Sequence, residues 1–97
     1  DSEGKTVVTT PITFDGNRLL INYKANGGTV RAQLTDLEGN VIEGFSFDDC
    51  IALTGDSIEQ EICFSGDLSK INQPVKICFE LTNAELYSYR LLILLRV

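Results

Sequence analysis

Apolar and polar residues alternate along most of this chain. In Thr29–Asp36, Val30, Ala32 and Leu34 fall on one side, and Arg31, Gln33 and Thr35 on the other. That two-residue period is the mark of an extended strand. Val75–Thr82 repeats it, with Val75, Ile77, Phe79 and Leu81 inward and Lys76, Cys78 and Glu80 outward. Thr6–Phe14 is rich in β-branched residues, and Pro11 places it at a sheet edge or bulge. Arg18–Lys24, Val41–Phe47, Ser57–Phe64 and Leu86–Leu95 complete the predicted strands. No window of useful length carries the 3.6-residue period of a helix.

Turn signals separate these segments every eight to twelve residues. They are Asp15-Gly16-Asn17, Asn26-Gly27-Gly28, Leu37-Glu38-Gly39-Asn40 and Thr54-Gly55-Asp56. Ser65–Pro74 reads as a loop, and Thr82-Asn83-Ala84-Glu85 as the connection to the last strand. Seven or eight short strands joined by hairpins predict an all-β, antiparallel fold of two packed sheets, a β-sandwich. One domain spanning residues 1–97 is expected, with Phe14, Phe45, Phe64 and Phe79 in its core.

The last strand breaks the alternation. Leu91, Leu92, Ile93, Leu94 and Leu95 are apolar on both faces. A strand of that kind is covered on both sides. It is either central in this domain or packs against a neighbouring one. The chain contains no methionine, and it is expected to be a piece of a longer protein.

The formal net charge is −6. An acidic field of this size argues against nucleic acid or an anionic membrane surface as partner. No apolar run reaches the roughly 18 residues of a membrane-spanning helix. The charge fits a secreted or cell-surface domain, although many cytosolic proteins are acidic too. Cys50, Cys63 and Cys78 are an odd set, so they cannot form a fully paired disulfide framework. Buried small apolar side chains are the expected role; one disulfide plus one free thiol is the alternative.

Catalysis finds little support. Asp48 and Asp49 are adjacent and in a strand would point to opposite faces. With no histidine in the chain, neither a Ser-His nor a Cys-His pair can form. The chain is expected to be no enzyme. Calcium is the credible metal, because it takes carboxylate and carbonyl oxygens. Asp48, Asp49 and Asp56, with Asp67, are its candidate ligands, although the same residues suit the capping of turns. Carbohydrate is the other candidate ligand, since the apolar face of a pyranose stacks on an aromatic ring. Tyr23, Tyr87 and Tyr89 are the stacking candidates, with Phe47 behind them. Asn22, Arg31, Gln33 and Glu80 are the possible polar partners.

The run Gly44-Phe45-Ser46, then Asp49-Cys50, then Gly55-Asp56-Ser57 resembles an accessory domain at the C-terminal side of bacterial glycoside hydrolases. Its parents are mostly five-bladed propeller enzymes of the family 43 and family 32 kind. Thr10-Pro11-Ile12-Thr13-Phe14 with Gly16 and Arg18-Leu19-Leu20-Ile21-Asn22 is similar to that domain's opening hairpin. Gly28, Val30-Arg31, Asp36 and Gly39 are similar to its second hairpin. Pro74-Val75-Lys76-Ile77 and Ala84-Glu85-Leu86-Tyr87-Ser88-Tyr89 are similar to its closing strands. Phe64 stands where the family usually carries a tryptophan. The resemblance implies a jelly-roll β-sandwich, non-catalytic and secreted. Its implied roles are binding a polysaccharide or oligosaccharide, or packing against and stabilising the parent's catalytic domain. Asp49, Cys50 and Asp56 then read as scaffold for the connection between two strands.

Overall fold

The computed structural model describes residues 5–13 and 18–92. The side chains of residues 57–59 and 92 lie outside that description. The strands are β1 (Lys5–Val8), β2 (Ile12–Thr13), β3 (Arg18–Thr35), β4 (Leu53–Glu61), β5 (Pro74–Thr82) and β6 (Glu85–Leu92). Two short 3-10 segments, Phe47–Asp49 and Leu68–Lys70, interrupt the loops. Among the described residues every strand pairing is antiparallel, in one open six-stranded sheet. The all-β expectation therefore holds. The predicted turn at Asp15–Asn17 and the apolar residues Ile93–Leu95 fall outside the described residues.

The sheet is organised around β3, and here the structure departs from the expected hairpins. Arg18–Lys24 and Thr29–Thr35 belong to one 18-residue strand, and the chain does not reverse at Asn26–Gly28. Lys24 pairs with Asp56 of β4 and with Glu85 of β6, so those two strands flank opposite edges of β3. Val30 pairs with Leu53 of β4 and Leu81 of β5 in the same way. Hence β5 and β6 follow each other along one edge of β3, and residues 83–84 are a break in a single line of pairing rather than a hairpin. On the outer side of β5 run β1, with Lys5 opposite Leu81, and β2, with Ile12 opposite Val75.

Eighteen residues at about 3.3 Å each would make a straight strand nearly 60 Å long. The molecule's longest extent is 36 Å, so β3 bends. The bend lies where the inward phase changes. Leu19, Ile21, Tyr23 and Ala25 face the core before it; Val30, Ala32 and Leu34 do so after it. Between these sets, residues 26–29 of β3 oppose only Thr54 of β4, and residues 25–28 oppose only residues 83–84 on the other edge.

Three neighbouring strand lines carry a left-handed residue at this level: Gly27 (φ 84°), Gly55 (φ 79°) and Asn83 (φ 50°). This conformation is cheap for glycine and tolerable for asparagine. Gly28 is required for space instead. A Cβ there would lie 2.0 Å from the Thr82 carbonyl oxygen and 2.4 Å from that of Asn83. The Thr54 hydroxyl donates to the Gly28 carbonyl at 2.7 Å, closing the bulge from the β4 side. The predicted turn Thr54–Asp56 is thus a kinked part of β4.

The core gathers both halves of β3 with Val75, Ile77, Phe79 and Leu81 of β5, and with Phe45, Ile62 and Leu68. The inward set expected for Val75–Thr82 is the observed one, and Phe64 packs partly buried against this core. Val41–Phe47 makes less strand than its pattern predicts. Val41 forms a single bridge to Thr35, and the Leu34 amide donates to the Phe45 carbonyl. Leu91 is half-buried on the core.

Candidate functional site

Of the three tyrosines, Tyr87 is the most exposed. Tyr23 sits on the inward phase of β3, 3% exposed, and its hydroxyl donates to the Thr54 carbonyl at 2.8 Å. Burial, with the Asp56 carboxylate behind it, pushes its pKa above the usual tyrosine value. Tyr23 is a core residue with a satisfied polar tip. Tyr89 is 36% exposed, and its ring rests against Phe79 with centroids 5.7 Å apart.

Tyr87 is 58% exposed. Asn22 pairs with Ser88 and Tyr23 with Leu86, so Tyr87 is the extra residue of a β-bulge. Bulges re-aim side chains, and Tyr87 stands exposed at this one, on a strand paired along the edge of β3. The Tyr87 hydroxyl donates to Glu85 Oε2 at 2.8 Å. That hydrogen bond raises its pKa and restrains the ring. A groove of about 320 Å³ opens beside it, lined by Lys5, Val7, Leu81, Ala84, Glu85, Leu86 and Tyr87.

The register builds a polar row that meets the groove at Glu85. Lys24 lies between Asp56 on β4 and Glu85 on β6, and all three side chains are exposed. One lysine and two carboxylate residues sharing a register row near an exposed tyrosine offer both donors and acceptors to a hydroxylated ligand. Hydrolysis needs a cleft that desolvates one carboxyl of a pair; this row lies on an open face. The alternation around Lys24 and Glu85 is visible in the sequence, but their adjacency requires the unbroken line of β5 and β6.

Of the remaining sugar-binding candidates, Arg31, Gln33 and Glu80 lie elsewhere. Arg31 and Glu80 are register partners on the outward phase beyond the bend, and Gln33 is two positions along. The Arg31 guanidinium binds Glu80 Oε1 through Nε at 2.8 Å and its terminal nitrogen at 2.6 Å. Its centre stands 5.4 Å from the Phe47 ring, and Asp48 approaches at 3.8 Å. These groups are engaged with one another. Asn22 is half-buried opposite Ser88, at the bulge that carries Tyr87. The structure therefore brings Arg31, Gln33 and Glu80 together but does not bring them to Tyr87.

Of the candidate calcium ligands, Asp49 and Asp67 serve as turn caps, as Asp36 does outside that set, while Asp48 lies near Arg31 and Asp56 on β4. Asp49 Oδ2 accepts from the Ser46 amide at 3.1 Å and the Ser46 hydroxyl at 2.9 Å, while the Ser46 hydroxyl accepts from the Asp49 amide. This capping box lowers the Asp49 pKa. Asp67 caps the second 3-10 segment through the Ser69 amide and hydroxyl. Asp36 accepts from the Glu38 and Asn40 amides. Asp56 stands on β4, across Lys24 from Glu85. Among the described residues, no three His, Cys, Asp or Glu side chains gather as a metal site would need.

All three cysteines are free thiols: Cys50 and Cys78 buried, Cys63 exposed. The Ala32 amide donates to Cys50 Sγ at 3.4 Å. Cys78, expected to point outward, does lie on that phase opposite Gln33, yet is shielded.

No family model matches the chain, and neither a curated protein nor a solved structure matches it.

Proposed function

We propose that this chain is a non-catalytic carbohydrate-binding domain, an accessory module of a secreted glycoside hydrolase. The observation that carries the reading is the Tyr87 ring, exposed at a bulge of β6, held by Glu85 and set beside a groove. A sugar would lay its apolar face on that ring and exchange hydrogen bonds with Glu85, Lys24 and Asp56. The family resemblance, carried by Gly44-Phe45-Ser46, Asp49-Cys50 and Gly55-Asp56-Ser57, points the same way. In this reading the sheet doubles over at Gly27–Gly28 into the two layers of a β-sandwich, for which the contact between Phe79 and Tyr89 is the support. Affinity gel electrophoresis against a panel of polysaccharides tests it. Retardation by at least one glycan, weakened in Tyr87→Ala, is expected; unchanged mobility in every gel refutes it.

A second reading has its own support. Leu37, Val41 and Ile51 are exposed on the 36–52 excursion. They would pack against a catalytic domain in a module that stabilises its parent and binds no sugar. Co-purification of this chain with the parent's catalytic domain, lost in Ile51→Asp, is its expected signature.

A further inference from the structure

We infer that the Tyr87 surface selects an uncharged pyranose polymer and rejects polyuronates. The inference rests on the carbohydrate-binding reading and adds the class of sugar.

The charges beside the ring carry it. Lys24 stands opposite Asp56 across one edge of β3 and opposite Glu85 across the other. Glu85 also accepts the Tyr87 hydroxyl, which fixes that carboxylate at the ring's edge. Lys5 lines the far side of the groove. These four groups comprise two carboxylates and two ammoniums, so the site has no net formal charge. The chain around it carries −6.

A polyuronate bears a carboxylate on every sugar. Its recognition calls for cations free to pair with those groups, as bidentate arginines do. Arg18 is joined to Glu61 and Arg31 to Glu80, and the two lysines at the site are matched in number by its two carboxylates. The acidic chain also repels a polyanion before contact. A neutral sugar meets none of this opposition. Each hydroxyl both donates and accepts, so one can donate to Glu85 or Asp56 while accepting from Lys24. The C–H face stacks on Tyr87, whose ring is already restrained by its hydrogen bond, and so loses little freedom on binding.

The test is affinity gel electrophoresis of this chain in matched gels of β-glucan, xylan, galactomannan, polygalacturonate and alginate, at low and high salt. Wild type, Tyr87→Ala and Glu85→Lys are compared, with circular dichroism confirming that each variant is folded. Retardation by a neutral glycan is expected, persisting at high salt and weakened about tenfold in Tyr87→Ala, as befits loss of a central aromatic anchor. Polyuronates should not retard wild type, and Glu85→Lys should gain some retardation by them at low salt. Retardation of wild type by a polyuronate at least as strong as by any neutral glycan overturns the inference while leaving a sugar-binding domain. Neutral binding indifferent to Tyr87→Ala overturns the assignment to this surface. Silence in all gels removes both the inference and the reading beneath it.

Discussion

The Phe79 and Tyr89 rings lie 5.7 Å apart, tilted by 43°, although ten residues separate them along the line of β5 and β6. On a straight line of strand those positions would be about 33 Å apart. The contact therefore exists only because the sheet bends, and it joins the two sides of the bend. Phe79→Ala should cost roughly 3–5 kcal/mol, as for other fully buried aromatics. The double change with Tyr89→Ala should show a coupling of about 0.5–1.5 kcal/mol in denaturant unfolding. Strict additivity would mean that the rings do not hold the bend closed.

Gly28 and Gly39 are predicted to respond differently to alanine. At Gly28 the new methyl meets two backbone oxygens, which cannot be relieved by a rotamer change. The loss should be at least the roughly 1–3 kcal/mol typical of overpacking. At Gly39 nothing lies within 4 Å, but φ is +92°, so only the conformational penalty of about 1 kcal/mol applies. Thermal or urea melts of the two variants rank them. Equal losses would show that the Gly28 approach is not a constraint.

Tyr23 and Tyr87 should separate stability from binding. Tyr23→Phe removes the donor to the Thr54 carbonyl and should lower stability by roughly 1 kcal/mol with glycan retardation unchanged. Tyr87→Phe should leave stability nearly unaltered, since its partner is an exposed carboxylate. A binding loss in Tyr23→Phe with none in Tyr87→Ala would reverse the assignment.

Acid should destabilise the fold through its turns. Hydrogen bonds from Asn40, Ser46 and Ser69 hold Asp36, Asp49 and Asp67 below the ordinary carboxylate value of 3.8. A depressed folded-state pKa contributes stability that is present above the unfolded value and lost as pH falls through the folded one. Urea midpoints should thus be flat from neutral pH to about 5 and fall below about 4. Asp49→Asn should flatten that acid limb. An unchanged limb in the Asp36, Asp49 and Asp67 triple asparagine variant would rule these caps out as its source.

Alkylation of the native protein should label one thiol. Cys63 is exposed, while burial shields Cys50 and Cys78 and raises their pKa values, and the thiolate is the reactive form. Mass spectrometry should show one fast adduct in buffer and three in denaturant. Two fast adducts would show that one of the buried sites opens.

What the sequence reveals and what it conceals follow from the range of each signal. The inward sets at Val30, Ala32 and Leu34, and at Val75, Ile77, Phe79 and Leu81, were legible because alternation is local. The bend was not. Asn26-Gly27-Gly28 carries the same residues whether the chain reverses or creases, and only the bulges on both edges of β3 distinguish the two. Thr54-Gly55-Asp56 misleads for the same reason. The candidate site shows the same division. Tyr87 can be chosen as an aromatic in a strand, but Tyr23 has an equal claim until its inward phase is known. The row Asp56, Lys24 and Glu85 joins residues from three strands, and no short-range pattern contains it.

The left-handed residues of the bend also mark register. Gly27, Gly55 and Asn83 belong to three separate stretches of chain, yet they must arrive at one level before the sheet can bend. Deleting one residue on either side of any of them would move its mark out of alignment, and every side chain beyond would swap inside for outside. Evolutionary loss or gain of length should therefore be concentrated in the 36–52 and 62–73 connections, where the chain can absorb it without disturbing that shared fold line.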